Sequence, residues 1–197
     1  MGVLPNIPRT ILSFAFVCGT AFSVCAGDVP EKKQTKLGLY LTAAEAQEML
    51  SSGDAVFVDV RSRAEVAFLG IPKRADIHIP YMVMPMMAVF NEEKNTYDLE
   101  LNPDFPTDFQ DYATEHGIAE NTPVILICRS GSRSARAADL LADLGYTKVY
   151  SVIDGYEGDK AKSGSGAGQR VVNGWRNAGL EWSYKIEPQQ VYRADLN

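Results

Sequence analysis

Apolar runs alternate with amphipathic ones along most of the chain. Leu37-Gly38-Leu39-Tyr40-Leu41 reads as a short strand. Thr42-Ala43-Ala44-Glu45 has the spacing of a capping box, a hydroxyl with an acid three residues on, and predicts a helix through Leu50. After the Gly53-Asp54 turn, residues 55–60 (AVFVDV) are apolar and β-branched, as strands buried in a parallel sheet tend to be. Ser62-Arg63-Ala64-Glu65 repeats the capping-box spacing and predicts a short helix to about Phe68. Ile77-His78-Ile79 is a brief strand, ended by Pro80. Residues 81–90 are rich in methionine and are predicted to be helical in part. Asn102-Pro103 opens another helix, with Phe105, Phe109, Tyr112 and His116 at helical spacing and Gly117 at its end. Val124-Ile125-Leu126-Ile127 is a buried strand, residues 134–144 are a helix stopped by Gly145, and residues 148–152 are the last strand. This alternation predicts an α/β domain built on a mostly parallel sheet.

Two segments break the pattern. Residues 158–169 (GDKAKSGSGAGQ) read as a flexible Gly/Ser-rich loop. The glycines there lack the following Lys-Ser/Thr of a phosphate loop and do not follow a strand, which argues against nucleotide binding. Beyond them Trp175, Leu180 and Trp182 are expected packing anchors, followed by a C-terminal tail over 183–197. At the other end, Arg9 is the sole charge among the first 26 residues, and residues 11–25 are almost all apolar or small. Val24-Cys25-Ala26 closes the run with a small residue at the last position. A positive start, an apolar stretch and a small exit predict a signal peptide over 1–26, cleaved after Ala26, with 27–36 as a linker. The competing reading is an uncleaved anchor, disfavoured by the short apolar run. A lipid attachment at Cys25 is disfavoured by the bulk of Val24. The expectation is a periplasmic or otherwise exported protein with no stable membrane insertion once the signal is removed.

Composition narrows the function. The 197 residues are 46% hydrophobic with a formal net charge of −6, which suits one globular domain and argues against a nucleic-acid partner. Of the cysteines Cys18, Cys25 and Cys128, the first two would leave with the signal. A single thiol in an oxidising compartment cannot form an internal disulfide, so Cys128 is either core filler or reactive.

Its surroundings favour reactivity. Cys128 ends the strongest strand, where ligand sites of parallel sheets lie, and a helix begins six residues later. The intervening Arg129-Ser130-Gly131-Ser132-Arg133 is hard to bury. Gly131 and the serines let the backbone curl its N–H groups inward, and the helix N-terminus and two arginines add positive potential. All of these favour a thiolate. Asp59 and Arg61, at the end of another strand, are candidates for supporting that loop, although an ordinary fold-stabilising pair is the favoured reading. Glu65 is accounted for by its capping box. His78, between isoleucines, reads as a structural histidine, and His116 lies at a helix end. Met82, Met84, Met86 and Met87 crowd around Pro85, and flexible packing or a lid is favoured over a soft-metal site. No metal or cofactor is assigned.

Taken in order, Asp59-Val60-Arg61 after a strand, Glu65, Ile79-Pro80, Cys128-Arg129-Ser130-Gly131-Ser132-Arg133-Ser134 and Gly155 after the last strand resemble a rhodanese (thiosulfate sulfurtransferase) domain over about residues 37–182. The cysteine loop is the most specific part. The resemblance implies a rhodanese-like fold, a central five-stranded sheet with helices on both faces. It implies a persulfide on Cys128, cradled by the backbone from Arg129 to Arg133 and by Ser134, with the arginines orienting the anion. Thiosulfate or a persulfide would be the donor, and a thiol or cyanide-like acceptor, a redox protein among the candidates, would take the sulfur. A related phosphatase family has a cysteine loop one residue longer, C-x-x-x-x-x-R; the span here is C-x-x-x-x-R, which favours sulfur over phosphate. A persulfide carrier without turnover is the alternative, with a phosphatase or arsenate reductase further behind. The Gly-His pair that family members often carry before the third strand is missing, because residues 68–76 diverge.

Overall fold

The computed structural model describes residues 29–53 and 55–196. The signal peptide expected over 1–26, with Cys18 and Cys25, lies outside the described residues.

Five short parallel strands make the central sheet. They are β1 (Tyr40–Leu41), β2 (Val56–Asp59), β4 (Ile77–His78), β9 (Val124–Ile127) and β10 (Val149–Val152), in the order β1-β10-β9-β2-β4. β9 holds the centre and pairs in register with both neighbours, Leu126 lying opposite Val58 and Ser151. Its four residues are all buried, which is why it carries no polar position. Side chains leave it alternately. Val124, Leu126 and Cys128 join the core under α3 (Phe105–Glu115) and α4 (Ser132–Asp143). Ile125 and Ile127 join the opposite core under α1 (Ala43–Ser51) and α2 (Arg63–Leu69). Helices therefore cover both faces, as expected. Each fully buried Leu, Ile or Phe here contributes about 1.5–3 kcal/mol relative to exposure.

Both predicted capping boxes are present. Thr42 and Ser62 accept the N–H of Glu45 and Glu65, and each acid reaches back to its cap. The Trp tail also packs as expected. Trp175 is fully buried with its ring 5.1 Å from that of Phe57. β11 (Trp182–Ser183) pairs antiparallel with β3 (Ile71–Pro72). Residues 183–196 fold back over the β4 edge, where the buried Gln190 donates to the Ala75 carbonyl at 2.8 Å.

Three expectations need correction. Residues 81–90 contain no helix. They open a hairpin arm in which β5 (Met82–Val83) pairs with β8 (Glu100–Leu101) and β6 (Phe90–Asn91) with β7 (Thr96–Tyr97). Pro85 removes a helical donor, Val83, Val89 and Tyr97 favour extended backbone, and Asn95 takes a left-handed turn at φ 51°. Met86 and Met87 stand exposed on this arm. Helix α4 begins at Ser132, two residues earlier than expected, because Gly131 adopts φ 95° and starts the turn. The segment read as a flexible loop closes on itself. Ala161 and Gln169 bond through their backbones at 2.8 Å, and Lys160 bridges to Arg170.

Candidate active site

Cys128 sits directly after β9, and only three residues separate it from α4. Its side chain is buried, 1% exposed. The Gly131 N–H points at Sγ with N···S 3.2 Å, and the Ser134 hydroxyl approaches from the core side at 3.5 Å. The Gly131 N–H leaves positive potential at the sulfur, and the first turn of α4 adds to it. Ser134 also reaches the Ser151 hydroxyl at 2.9 Å and the Gly131 carbonyl at 3.1 Å.

The loop is held tightly from outside. A Cβ on Gly131 would stand 2.2 Å from the Ile153 carbonyl oxygen, and one on Gly155 would stand 2.5 Å from the Ser130 nitrogen. Only glycine permits these approaches, and both residues have positive φ. The segment after β10 completes the clasp. Tyr156 donates its N–H to the Cys128 carbonyl at 2.8 Å, and Glu157 donates to the Arg129 carbonyl at 3.0 Å. The loop shape is thus imposed by its neighbours.

The arginines take different parts. Arg133 forms a fork with Glu65, at 2.6 and 2.5 Å, so its guanidinium is directed onto α2. Burial alone would push the Glu65 carboxyl up, but the Arg133 guanidinium outweighs it and holds the group at about 2. Glu65 therefore serves its capping box and also ties α4 to α2. Arg129 is exposed and forms no ion pair among the described residues.

The pair of Arg133 and Glu65 gives a pH signature. The carboxyl falls from 4.5 to about 2 on folding, worth about 3 kcal/mol at about 1.4 kcal/mol per pH unit. Because the folded value is depressed, this stability is fully present above about pH 4.5 and fades as pH falls toward 2. Urea unfolding of Glu65→Gln is expected to show a loss of about 2–3 kcal/mol at pH 7 that narrows below pH 4.5. A difference that stays constant down to pH 2.5 would contradict the assignment.

Among the described residues, Asp59 and Arg61 make no side-chain hydrogen bond or ion pair to the cysteine loop. They form a fully buried ion pair, Arg61 Nη2 to Asp59 Oδ2 at 2.5 Å, and Arg61 also donates to the Gly70 carbonyl at 2.7 Å. The guanidinium lies 3.7 Å over the Tyr156 ring. Since Tyr156 anchors the Cys128 carbonyl, any support from this pair reaches the loop one residue removed. Burial would lower the Arg61 pKa, but Asp59 raises it beyond its ordinary value. Burial pushes the His78 imidazole down, against the pull of Asp59, so the ring is neutral and its Nε2–H donates to the Arg61 carbonyl at 2.7 Å. That is the structural role the sequence suggested.

Sequence reasoning missed Ser151 and Tyr156, and did not see Glu65 as the partner of Arg133. Ser151 had a faint signal, a hydroxyl within an otherwise buried strand. Glu65 was already explained by its capping box, which concealed its second bond. Tyr156 follows β10 with no periodicity to mark it. Among the described residues, no group of three or more His, Cys, Asp or Glu could hold a metal ion.

Known proteins are similar to this chain. The Rhodanese-like domain family matches residues 42–162. An uncharacterized protein of Rickettsia conorii is 30% identical over 148 residues, 73% of this chain and 96% of its own. The thiosulfate sulfurtransferase GlpE of Actinobacillus succinogenes is 28% identical over 151 residues, 75% of this chain and 95% of its own. Among solved structures, that of Rv0390 from M. tuberculosis superposes with a TM-score of 0.55 at 32% identity, covering 74% of this chain and 97% of its own. With the match spanning most of the sheet and the whole cysteine loop, the chain belongs to the rhodanese-like domain family.

Proposed function

We propose that this protein is a sulfurtransferase that carries sulfane sulfur on Cys128. The carrying observation is the Gly131 N–H held on Sγ at 3.2 Å by a loop that its neighbours shape in advance. In this reading the Cys128 thiolate attacks the outer sulfur of thiosulfate or of a persulfide. A new S–S bond forms, and sulfite or a thiolate leaves with the electron pair of the broken bond. The persulfide places its reactive sulfur one bond farther from the buried Sγ, where a thiol or cyanide can attack it. Donors on the backbone and α4 stabilise negative charge on either sulfur. Arg129, exposed at the rim, is the loop arginine available to an anionic donor, while Arg133 holds the frame. The family relationship supports the reaction class, and the short C-x-x-x-x-R span supports sulfur over phosphate.

The leader over 1–26 supports an exported, periplasmic location, in which Cys128 works without a second thiol in the mature chain. The test is direct. Chain beginning at Gly27 is incubated with thiosulfate, its intact mass is taken, and cyanide is then added. The expected result is a gain of one sulfur, followed by thiocyanate release and return to the starting mass. Phosphate release from an aryl phosphate with no sulfur gained would overturn the proposal. A stable adduct that yields no thiocyanate would make the protein a carrier and remove the enzyme.

A further inference from the structure

On the core side of the sulfur lies a pair of hydroxyls. Ser134, in the first turn of α4, and Ser151, in β10, are both fully buried, and their oxygens stand 2.9 Å apart. Ser151 lies opposite Leu126 in the sheet, in a strand whose other residues are Val149, Tyr150 and Val152. Its N–H is taken by the Leu39 carbonyl. Among the described residues, Ser134 Oγ is the sole hydrogen-bond partner of Ser151 Oγ. A buried hydroxyl in such a strand needs a partner, and this one has been given a neighbour of the reactive sulfur.

Counting protons fixes the direction of the bonds. Each hydroxyl has one proton to donate. Were Ser134 to give its proton to Ser151, the Ser151 proton would be buried without an acceptor, which is unfavourable. Ser151 therefore donates to Ser134. The Ser134 proton is left with two acceptors, the Gly131 carbonyl at 3.1 Å and Cys128 Sγ at 3.5 Å. Sulfur in a neutral thiol is a weak acceptor, so the carbonyl takes the proton while Cys128 is protonated. A sulfur that carries charge is a stronger acceptor. The carbonyl can release the hydroxyl without being stranded, because it also accepts the Ala135 N–H at 3.2 Å.

We propose that Ser151 is a positioning residue for the reaction at Cys128: by donating to Ser134, it holds that hydroxyl where its proton can turn from the Gly131 carbonyl onto Sγ whenever negative charge sits there. The inference rests on the sulfurtransferase reading, in which Sγ carries charge twice. It is the nucleophile toward thiosulfate: the new S–S bond forms from its electron pair, and sulfite leaves with the pair of the broken bond. It is the leaving group toward cyanide: thiocyanate forms, and the electron pair of the S–S bond returns to Sγ. The Ser134 proton turns without being transferred in either step. Ser151 touches no reacting atom. It acts through Ser134, since a hydroxyl that accepts one bond donates a stronger one.

The test reads the thiolate and the sulfur separately. In the chain beginning at Gly27, the ultraviolet absorbance of the thiolate is titrated against pH, and the matching Cys128→Ser titration is subtracted to remove tyrosine ionisation. Arg129 in the loop, Arg133 in α4 and Arg170 after β10 are the charged neighbours of Cys128, and all are kept in every variant. Ser134→Ala is expected to raise the midpoint by about one pH unit and Ser151→Ala by about half a unit. In a Ser134→Ala background, Ser151→Ala is expected to add nothing, because its effect passes through the missing hydroxyl. Loading from thiosulfate and discharge to cyanide are each expected to slow about tenfold in Ser134→Ala and about threefold in Ser151→Ala. A serine with a purely structural role would move the thermal midpoint and leave the titration unchanged. A Ser151→Ala variant that titrates as wild type overturns the inference, and so does a double variant whose shift is the sum of the two. A wild type that gains no sulfur from thiosulfate overturns the sulfurtransferase reading, and the titration still decides whether Ser151 acts on the thiolate.

Discussion

Cys128→Ser is expected to lower sulfur uptake from thiosulfate by more than about a thousandfold while leaving the thermal midpoint within about 2 °C of wild type. Uptake requires a nucleophile that can attack as the anion and that forms a stable bond to sulfur. A serine hydroxyl in the same place stays protonated and forms no persulfide. Stability should hold because the exchange is nearly isosteric. The serine oxygen keeps an acceptor in front of the Gly131 N–H and the Ser134 hydroxyl, so no buried donor is stranded. The measurement is intact mass before and after thiosulfate, with thiocyanate assayed on adding cyanide. Using a chain without Cys18 and Cys25 makes the mass gain report on Cys128 alone. Thiocyanate production by Cys128→Ser at the wild-type rate would remove the cysteine from the mechanism.

The residues that carried the sequence reading were those governed by local rules. Val124–Ile127 is a strand because four apolar residues stand between Pro123 and a polar loop, and it is buried on both faces as that pattern requires. Thr42 and Ser62 announce their helices through the acid three residues on. The cysteine loop is also local: its small residues and Gly131 suffice to suggest inward N–H groups. What escaped was set by tertiary contact. Nothing near Glu65 in sequence shows that Arg133, 68 residues away, will take its carboxylate. Arg133 therefore looked like an anion ligand. Tyr156 matters because its N–H meets Cys128 across the end of the sheet and its ring lies under Arg61, contacts that no period along the chain encodes. The hairpin arm after Tyr81 was misread because methionine is a good helix former, whereas Pro85 and the pairing of Met82 with Leu101 decide otherwise.

Asp59→Ala is expected to cost about 3–5 kcal/mol of folding stability and to lower the thermal midpoint by about 10 °C or more. The loss follows from what it leaves behind. Both partners are fully buried, and Arg61 Nη1 already lacks an acceptor. Removing Asp59 takes the acceptors from Nε as well and leaves Nη2 with the Gly70 carbonyl alone. A guanidinium cannot shed its charge to escape this, so the cost falls on the fold. The pair itself is a different quantity from the loss on breaking it. In Asp59→Val/Arg61→Met both charges go together, and most of the stability should return because no buried ion is stranded. Sulfur uptake should not return with it. The double variant removes the guanidinium plate over Tyr156, the residue that anchors the Cys128 carbonyl, and loading from thiosulfate is expected to stay about tenfold slow. If the double variant regains both stability and wild-type loading, the ion pair serves the fold alone. If it regains stability and stays slow, Asp59 and Arg61 position the reactive loop through Tyr156.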